Sequence, residues 1–234
     1  MNIIIKTINL INTFKYIKKF SFCLYCNMYI FGSYLCHECW QKMEFWNNNL
    51  CAICGERVLN ECYNCNFNIK TIFVYNSILK FLILKFKYGN KFFIGEFFIN
   101  LLLMNIIINI NNKNLYIIIY VPHYWHKQIT SSINSSMFLA YELHKKIPNS
   151  KIYHDIFIKN SPLRQKDSQN YKDRFNITNK YSVNLDKIHL LTNQNVILID
   201  DILTTGTTIL TISKFIKKSY PNSLLVLTVG KIFY

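Results

Sequence analysis

The stretch Val196–Ile209, with the sequence VILIDDILTTGTTI, decides how the rest of the chain is interpreted. Its first four residues are apolar and are typical of a buried strand in a parallel sheet. Two carboxylates follow where that strand should end, and a threonine-rich loop around Gly206 leads into the helical spacing of residues 209–216. Backbone N–H groups at a helix start attract anions, and glycine lets a phosphate approach the backbone. The carboxylates can accept hydrogen bonds from the two hydroxyls of a ribose, and the adjacent loop can bind a phosphate. Together they fit a ribose 5-phosphate group.

This stretch resembles the signature of the type I phosphoribosyltransferases, whose ligand is phosphoribosyl pyrophosphate (PRPP). The alternative is an ordinary strand–turn–helix with a solvated acidic pair. A Walker P-loop is excluded because no lysine follows Gly206, and a dinucleotide fingerprint is excluded because there is only one glycine. The resemblance implies that Asp200 and Asp201 are the catalytic residues. The PRPP-binding residues that it implies are Asp200, Asp201, Thr204, Thr205, Gly206, Thr207 and Thr208.

Eight cysteines between residues 23 and 65 form a second pattern, four C-x-x-C pairs in series. One such turn directs two thiolates at one point, and two turns complete a tetrahedral metal site. We therefore predict two structural zinc ions in a double zinc ribbon. Four disulfides would need an oxidising compartment, and a single redox pair does not explain four copies. The predicted zinc ligands are Cys23, Cys26, Cys36, Cys39, Cys51, Cys54, Cys62 and Cys65.

The chain is strongly basic, with a formal net charge of +15 over 234 residues. Two zinc ions bound by eight thiolates would change the net charge by −4, which leaves about +11. This charge favours a polyanionic partner, and we predict binding of single-stranded DNA. Asn, Ile, Lys, Phe and Tyr are abundant while Gly, Pro and Ala are scarce, as in an AT-rich genome. Generic solvated lysines are therefore the alternative.

Two apolar stretches bear on localisation. Residues 1–20 are interrupted by four lysines and lack a small-residue cleavage site, so they make a poor signal peptide. Residues 92–110 contain Glu96 and three asparagines, which favours a buried amphipathic helix over a transmembrane span. We expect a cytoplasmic protein with no membrane span.

Strands and helices alternate after residue 70, which predicts an α/β fold with a parallel sheet and ligands at the carboxyl ends of its strands. We predict residues 1–69 as a double zinc ribbon with an N-terminal extension and 70–234 as a phosphoribosyltransferase-like domain. The predicted strands are 71–75, 115–121, 152–158, 196–199 and 224–229, and the predicted helices are 78–88, 92–110, 131–146 and 209–218. The polar stretch 161–180 is a candidate lid, in which Arg164, Lys166 and Lys172 would meet phosphates, or else a simple solvated loop.

The order of a double zinc ribbon and then a phosphoribosyltransferase signature resembles the ComF/GntX family of bacterial competence and DNA-utilisation proteins. Landmarks of the family are the segments 84–89 and 121–122, then Asn134, Gln165 and Asn176. The resemblance implies a PRPP-binding protein that handles single-stranded DNA, with partners in the DNA-uptake machinery. An active phosphoribosyltransferase of unknown acceptor is the alternative, and an adaptor with a vestigial α/β domain is a third interpretation.

The resemblance also implies a pyrophosphate loop over residues 122–127, where Mg2+ would bridge the pyrophosphate oxygens. Its candidate residues are Pro122, His123 and Lys127, and a plain surface loop is the alternative. The chain departs from the family at residues 130–135, where T-S-S-I-N-S replaces R-R-G-F-N-Q. The loss of two arginines from this segment makes transferase turnover uncertain.

Overall fold

The computed structural model describes residues 21–58, 61–106, 114–123, 134–159, 174–178 and 181–233. In chain order, the elements are β1 (Ser21–Phe22), β2 (Tyr29–Ile30), α1 (His37–Gln41), β3 (Asn68–Val74), α2 (Ser77–Tyr88), α3 (Phe92–Ile106), β4 (Tyr116–Tyr120), α4 (Ser135–Lys146), β5 (Ser150–Ile152), β6 (Phe157–Lys159), β7 (Arg174–Thr178), β8 (Tyr181–Asn184), α5 (Leu185–Ile188), a 3-10 turn (His189–Leu191), β9 (Asn195–Leu203), α6 (Thr207–Lys218) and β10 (Ser223–Lys231).

A five-stranded sheet in the order β3-β10-β9-β4-β5 forms the centre of the molecule, and every pair in it is parallel. The predicted parallel α/β architecture is therefore confirmed. Strand β9, which contains the start of the signature, lies in the middle of the sheet. Its residues Val196–Ile199 are at most 1% exposed, because helices cover both faces of a parallel sheet.

Two hydrophobic clusters lie on the two faces of this sheet. Alternate residues of a strand point to opposite faces, and Ile197 and Ile199 of β9 belong to one cluster while Val196 and Leu198 belong to the other. The first cluster includes helices α2, α3 and α4, and the second includes α6. The chain thus buries two separate apolar layers against one sheet.

Helix α3 begins at Phe92 as predicted and is described as far as Ile106. Its side chains from Ile94 to Leu102 supply much of the first cluster, as expected for a buried helix. Among the helices that the structure describes, none combines the length and the apolar character that crossing a bilayer requires. Residues 107–110, which the sequence assigns to the same helix, lie outside the described residues.

A second, antiparallel sheet in the order β6-β8-β7 corrects two expectations. The single strand predicted at 152–158 is wrong, because its ends belong to β5 in the central sheet and β6 in the antiparallel sheet. Asp155 has a left-handed φ of 60°, which breaks the extended backbone between them. The polar stretch 161–180 contains strand β7, while 160–173 and 179–180 lie outside the described residues.

Candidate functional site

The two signature aspartates lie inside strand β9 rather than after it. The sequence predicts that the strand stops at Ile199, but β9 continues to Leu203 because β10 pairs with it over the same length. Asp200 and Asp201 are consequently buried, with 8% and 3% of their surface exposed. Buried carboxylates need hydrogen bonds or a counter-charge, and the neighbouring helices provide both.

Helix α4 and helix α2 hold the aspartate pair. Asn134 caps α4 by accepting a hydrogen bond from the Met137 N–H at 3.1 Å. At the first turn of that helix, the Ser136 hydroxyl donates to Asp200 Oδ1 at 2.7 Å, and the Ser135 hydroxyl donates to Asp201 Oδ2.

The ammonium of Lys87, near the end of α2, lies 2.5 Å from Asp201 Oδ2. Sequence reasoning missed Lys87, Ser135 and Ser136 as site residues. Lys87 lies in the landmark segment 84–89 and the serines adjoin the landmark Asn134, but the resemblance gave these three side chains no role in the site.

These contacts give the two carboxyl groups different charge states. Burial, together with the neighbouring Asp201, raises the pKa of Asp200 to about 7, although Ser136 acts in the opposite direction. Burial also acts to raise the pKa of Asp201, but the Lys87 ammonium outweighs it and holds this pKa below its usual range. One carboxylate is therefore firmly ionised, and its neighbour changes protonation near neutral pH.

The threonine-rich loop links β9 to α6. Gly206 is the N-cap of α6 and has a left-handed φ of 78°, a conformation that favours glycine. The Thr205 and Thr207 hydroxyls are 2.9 Å apart, and the Thr207 N–H donates to Thr205 Oγ1 at 3.4 Å. Thr204, Thr205 and Thr207 are exposed, so this loop presents hydroxyl and N–H donors at the positive end of a 12-residue helix.

A cavity of about 140 Å³ at the carboxyl ends of β9 and β4 joins the aspartates to the loop. His123 and Val121 line it from the end of β4, and Lys159 and Tyr181 line it from the antiparallel sheet. The sequence did not indicate Lys159 or Tyr181, since nothing in a short strand reveals which sheet it joins. The lining residues are Val121, His123, Lys159, Tyr181, Asp200, Asp201, Ile202, Leu203, Thr204, Gly206, Thr208 and Ile209.

His123 is the part of the predicted pyrophosphate loop that the structure brings to the cavity, and Pro122 precedes it. The His123 Nδ1 atom is 3.3 Å from Asn134 Oδ1. Burial lowers its pKa, so the imidazole is neutral at neutral pH. A ligand atom of His123 lies within 4.8 Å of both signature carboxylates, a grouping that can hold a cation.

The remaining predicted residues of the pyrophosphate loop and of the candidate lid lie outside the described residues. They are Lys127 and the lid residues Arg164, Lys166 and Lys172, with Gln165. Asn176 falls in β7.

The eight cysteines form two groups of four, as the spacing predicts. The Sγ atoms of Cys26 and Cys36 are 3.6 Å apart, and those of Cys51 and Cys65 are 3.7 Å apart. Four sulfurs at 2.3 Å from a central zinc would be separated by about 3.8 Å, whereas disulfide sulfurs are separated by about 2.05 Å. Each tetrad therefore fits a structural zinc ion.

A repeated turn produces these tetrads. In three of the four C-x-x-C pairs, the residue after the second cysteine has a left-handed backbone, and these residues are Asn27, Gly55 and Asn66. The N–H of that residue donates to the carbonyl of the first cysteine. The remaining pair, Cys36 and Cys39, uses the start of α1 instead, where Cys36 Sγ accepts from the Cys39 N–H at 3.5 Å.

Among the comparisons with known proteins, a match to a family model agrees with this description of the α/β domain. A family model described as the phosphoribosyl transferase domain matches residues 133–229. Similar solved structures include a Leishmania tarentolae HGPRT-ase in complex with GMP, at 13% identity over 62% of this chain and 68% of that chain, with a TM-score of 0.34. A Staphylococcus aureus hypoxanthine phosphoribosyltransferase has 20% identity over 60% of this chain and 73% of its own, with a TM-score of 0.35. No curated protein matches the chain.

The parallel sheet, the strand–loop–helix signature and the matched family model together define a type I phosphoribosyltransferase-like domain. This domain follows an N-terminal region whose two cysteine tetrads fit a double zinc ribbon.

Proposed function

We propose that this chain is a ComF/GntX-like protein that binds PRPP with Mg2+ and acts in DNA uptake or utilisation by handling single-stranded DNA. The observation that carries the PRPP assignment is the cavity in which a buried aspartate pair adjoins a threonine-rich helix start. Donors for a phosphate and acceptors for a diol thereby line one cavity, as a ribose 5-phosphate requires.

Each part of the ligand has a proposed partner. Thr204, Thr205, Gly206, Thr207 and Thr208 bind the 5-phosphate through N–H and hydroxyl donors. Asp200 and Asp201 bind the ribose hydroxyls. Pro122, His123 and Lys127 flank the pyrophosphate, whose charge Mg2+ neutralises when it is bound.

The ribbon region, residues 1–69, is proposed as a separate unit from the domain at 70–234, and its zinc ions are structural. Residues 21–69 contain only two basic side chains and four acidic ones, although the whole chain carries +15. Zinc bound by four thiolates adds further negative charge at each tetrad. We therefore assign single-stranded DNA to basic surfaces outside residues 21–69, and a protein of the DNA-uptake machinery to the ribbons, in the cytoplasm.

A fluorescent single-stranded oligonucleotide tests the DNA assignment by anisotropy. We expect binding with little sequence preference and a loss of affinity of roughly tenfold or more between 50 and 200 mM salt, because lysines release counterions from the phosphates. An undetectable or salt-independent interaction would contradict the assignment and favour generic solvated lysines.

The second candidate function is an active phosphoribosyltransferase. Lys159 and Tyr181 of the antiparallel sheet line the same cavity and offer a surface for an acceptor, which favours this alternative. In the reaction, the bond from the anomeric carbon to pyrophosphate breaks, and an acceptor atom bonds to that carbon and loses its proton. The transition state is cation-like, so the ionised Asp201 would stabilise it electrostatically.

Calorimetry of PRPP with Mg2+, followed by an assay for pyrophosphate release with a series of acceptors, separates the possibilities. PRPP binding without pyrophosphate release supports the binding protein. Release with an acceptor supports the transferase. If PRPP does not bind at all, both proposals fail and the α/β domain is vestigial.

A further inference from the structure

The second cysteine tetrad lies against the threonine-rich loop of residues 204–208, hereafter the phosphate loop because the proposed function assigns the 5-phosphate to it. Ile53 stands between the ligand cysteines Cys51 and Cys54. Two carbon atoms of its side chain lie 3.1 and 3.2 Å from the position that a Cβ of Gly206 would occupy. The Ile53 side chain thus fills the space beside Gly206, the glycine whose left-handed backbone begins helix α6. This packing joins the metal-binding turn directly to the loop.

A second support reaches the same loop from strand β10. The ammonium of Lys231, at the end of that strand, donates to the Thr204 carbonyl at 2.5 Å. The Lys231 side chain is 9% exposed, and the next residue continues the contact, since the Ile232 N–H donates to the Leu203 carbonyl at 2.9 Å. The loop is therefore held at Thr204 by Lys231 and at Gly206 by Ile53.

Only the second tetrad has this relation to the loop among the described residues. Cys51 and Cys62 belong to the hydrophobic cluster that also contains Leu203 and Ile209, the residues that flank the loop. The buried cysteines of the first tetrad belong to the cluster on the opposite face of the sheet, with α2 and α3.

We propose that the second tetrad is a structural support of the phosphate loop, with Ile53 and Lys231 as positioning residues, so that zinc at this tetrad and a phosphorylated ligand at the loop bind cooperatively. Such a short ribbon cannot keep its turns without metal. Zinc loss would release Ile53 and leave the loop less ordered. The free energy of ordering the loop would then be subtracted from the free energy of ligand binding. This inference rests on the proposed function of the loop.

The first arm of the test uses the zinc-loaded full chain, with ribose 5-phosphate as probe in calorimetry. Ile53→Ala should weaken binding about fivefold or more, the size of a typical coupling, and Ile53→Val should restore it. Lys231→Met should also weaken it. The control is Tyr25→Ala at the equivalent position of the first C-x-x-C, whose ring contacts Phe81 at 5.4 Å between centroids. This control should bind as wild type does.

The second arm measures zinc release to a chelating dye without any turnover. Coupling between affinities is reciprocal, so bound ribose 5-phosphate should tighten zinc binding at the second tetrad alone. We expect this to appear as slower zinc release from the second tetrad and unchanged release from the first. The exposed ligands Cys26 and Cys54, replaced singly by serine, assign the two phases. In Ile53→Ala the protection should disappear, which a merely weakened fold would not cause selectively.

The outcomes are distinguishable. If the wild-type protein does not bind ribose 5-phosphate, the proposed function fails, and this inference fails with it. If the wild type binds but Ile53→Ala, folded by circular dichroism, binds equally tightly and keeps the zinc protection, the inference is wrong while the proposed function stands.

Discussion

The two cysteine tetrads have the same ligands and nearly the same spacing, yet they support different parts of the molecule. The first packs on the face of the sheet that carries α2 and α3, where Tyr25 meets Phe81. The second packs on the opposite face, beside the strand end and the loop of the signature. We therefore expect metal loss from the two tetrads to have unequal effects, because what each tetrad contacts depends on the fold around it.

The candidate site is divided between these two faces. The phosphate loop is contacted by Ile53 from the second tetrad, whereas Asp200 and Asp201 are held by α2 and α4 from the other face. Disturbance of the first ribbon should thus affect the carboxylate pair at most indirectly, while disturbance of the second should affect the loop directly.

The largest expected effect comes from removal of one zinc ligand in each ribbon. Elemental analysis should find about two zinc ions per wild-type chain and about one in either Cys36→Ser or Cys62→Ser, because three thiolates do not complete a structural site. PRPP affinity should fall strongly in Cys62→Ser and remain close to wild type in Cys36→Ser. Equal losses of affinity in the two variants would remove the difference between the ribbons, and absence of zinc from wild type would refute the ribbons themselves.

Substitution of two separate glycines, Gly206 in the loop and Gly32 near the first tetrad, tests the same comparison with single residues. Gly206 and Gly32 both have left-handed backbones, but a side chain at Gly206 would meet Ile53 while one at Gly32 has open space. Replacing either by valine should cost about 1 kcal/mol or more of folding stability through backbone strain. Gly206→Val should in addition lower PRPP affinity roughly tenfold or more, about 1.4 kcal/mol. Titration of both variants with PRPP checks this, and equal binding by the two would contradict the role of the loop.

The aspartate side of the site should behave differently from the loop. Asp201→Ala removes a charge-assisted acceptor worth roughly 1.5–3 kcal/mol and should weaken PRPP binding about tenfold. Inorganic phosphate, which has no diol, should bind this variant and wild type alike. Because Asp201 is the partner of Lys87, the variant should also unfold at a lower temperature. A parallel loss of phosphate binding would show that the two halves of the site are not independent.

The smallest effect concerns the protonation of Asp200. Its pKa is raised from 3.8 to about 7 in the folded chain, so folding favours the protonated form. Stability from this group is fully present below about pH 4 and is lost as the pH rises through 7. Asp200→Asn cannot ionise, so its Tm should exceed that of wild type by about 2 °C or more at pH 8. Thermal unfolding at pH 8 and pH 5 checks this, and a difference that does not shrink at pH 5 would contradict the raised pKa.

Local spacing was sufficient for the parts of the molecule that depend on neighbours in sequence. Four C-x-x-C pairs form two tetrads, and an apolar strand, two acids and a threonine loop form a strand–loop–helix. The helix that ends at Gly89 follows from its apolar spacing and its terminal glycine. Prediction failed at residues 152–158, where one apolar run is divided between two sheets at Asp155. An extended pattern shows that a strand forms but not which sheet it joins.

By itself, the sequence determined the grouping of the cysteines into two tetrads, the parallel α/β class and the loop that begins at Thr204, because each depends on residue types at short separations. Only the tertiary structure decided that β9 buries both aspartates, since this depends on pairing with β10 along its full length. It also decided that Lys87 meets Asp201 and that Ile53 meets Gly206. These pairs are separated by more than 100 residues in the sequence. Contacts of that kind leave no local pattern, because they arise from packing rather than from the spacing of neighbours.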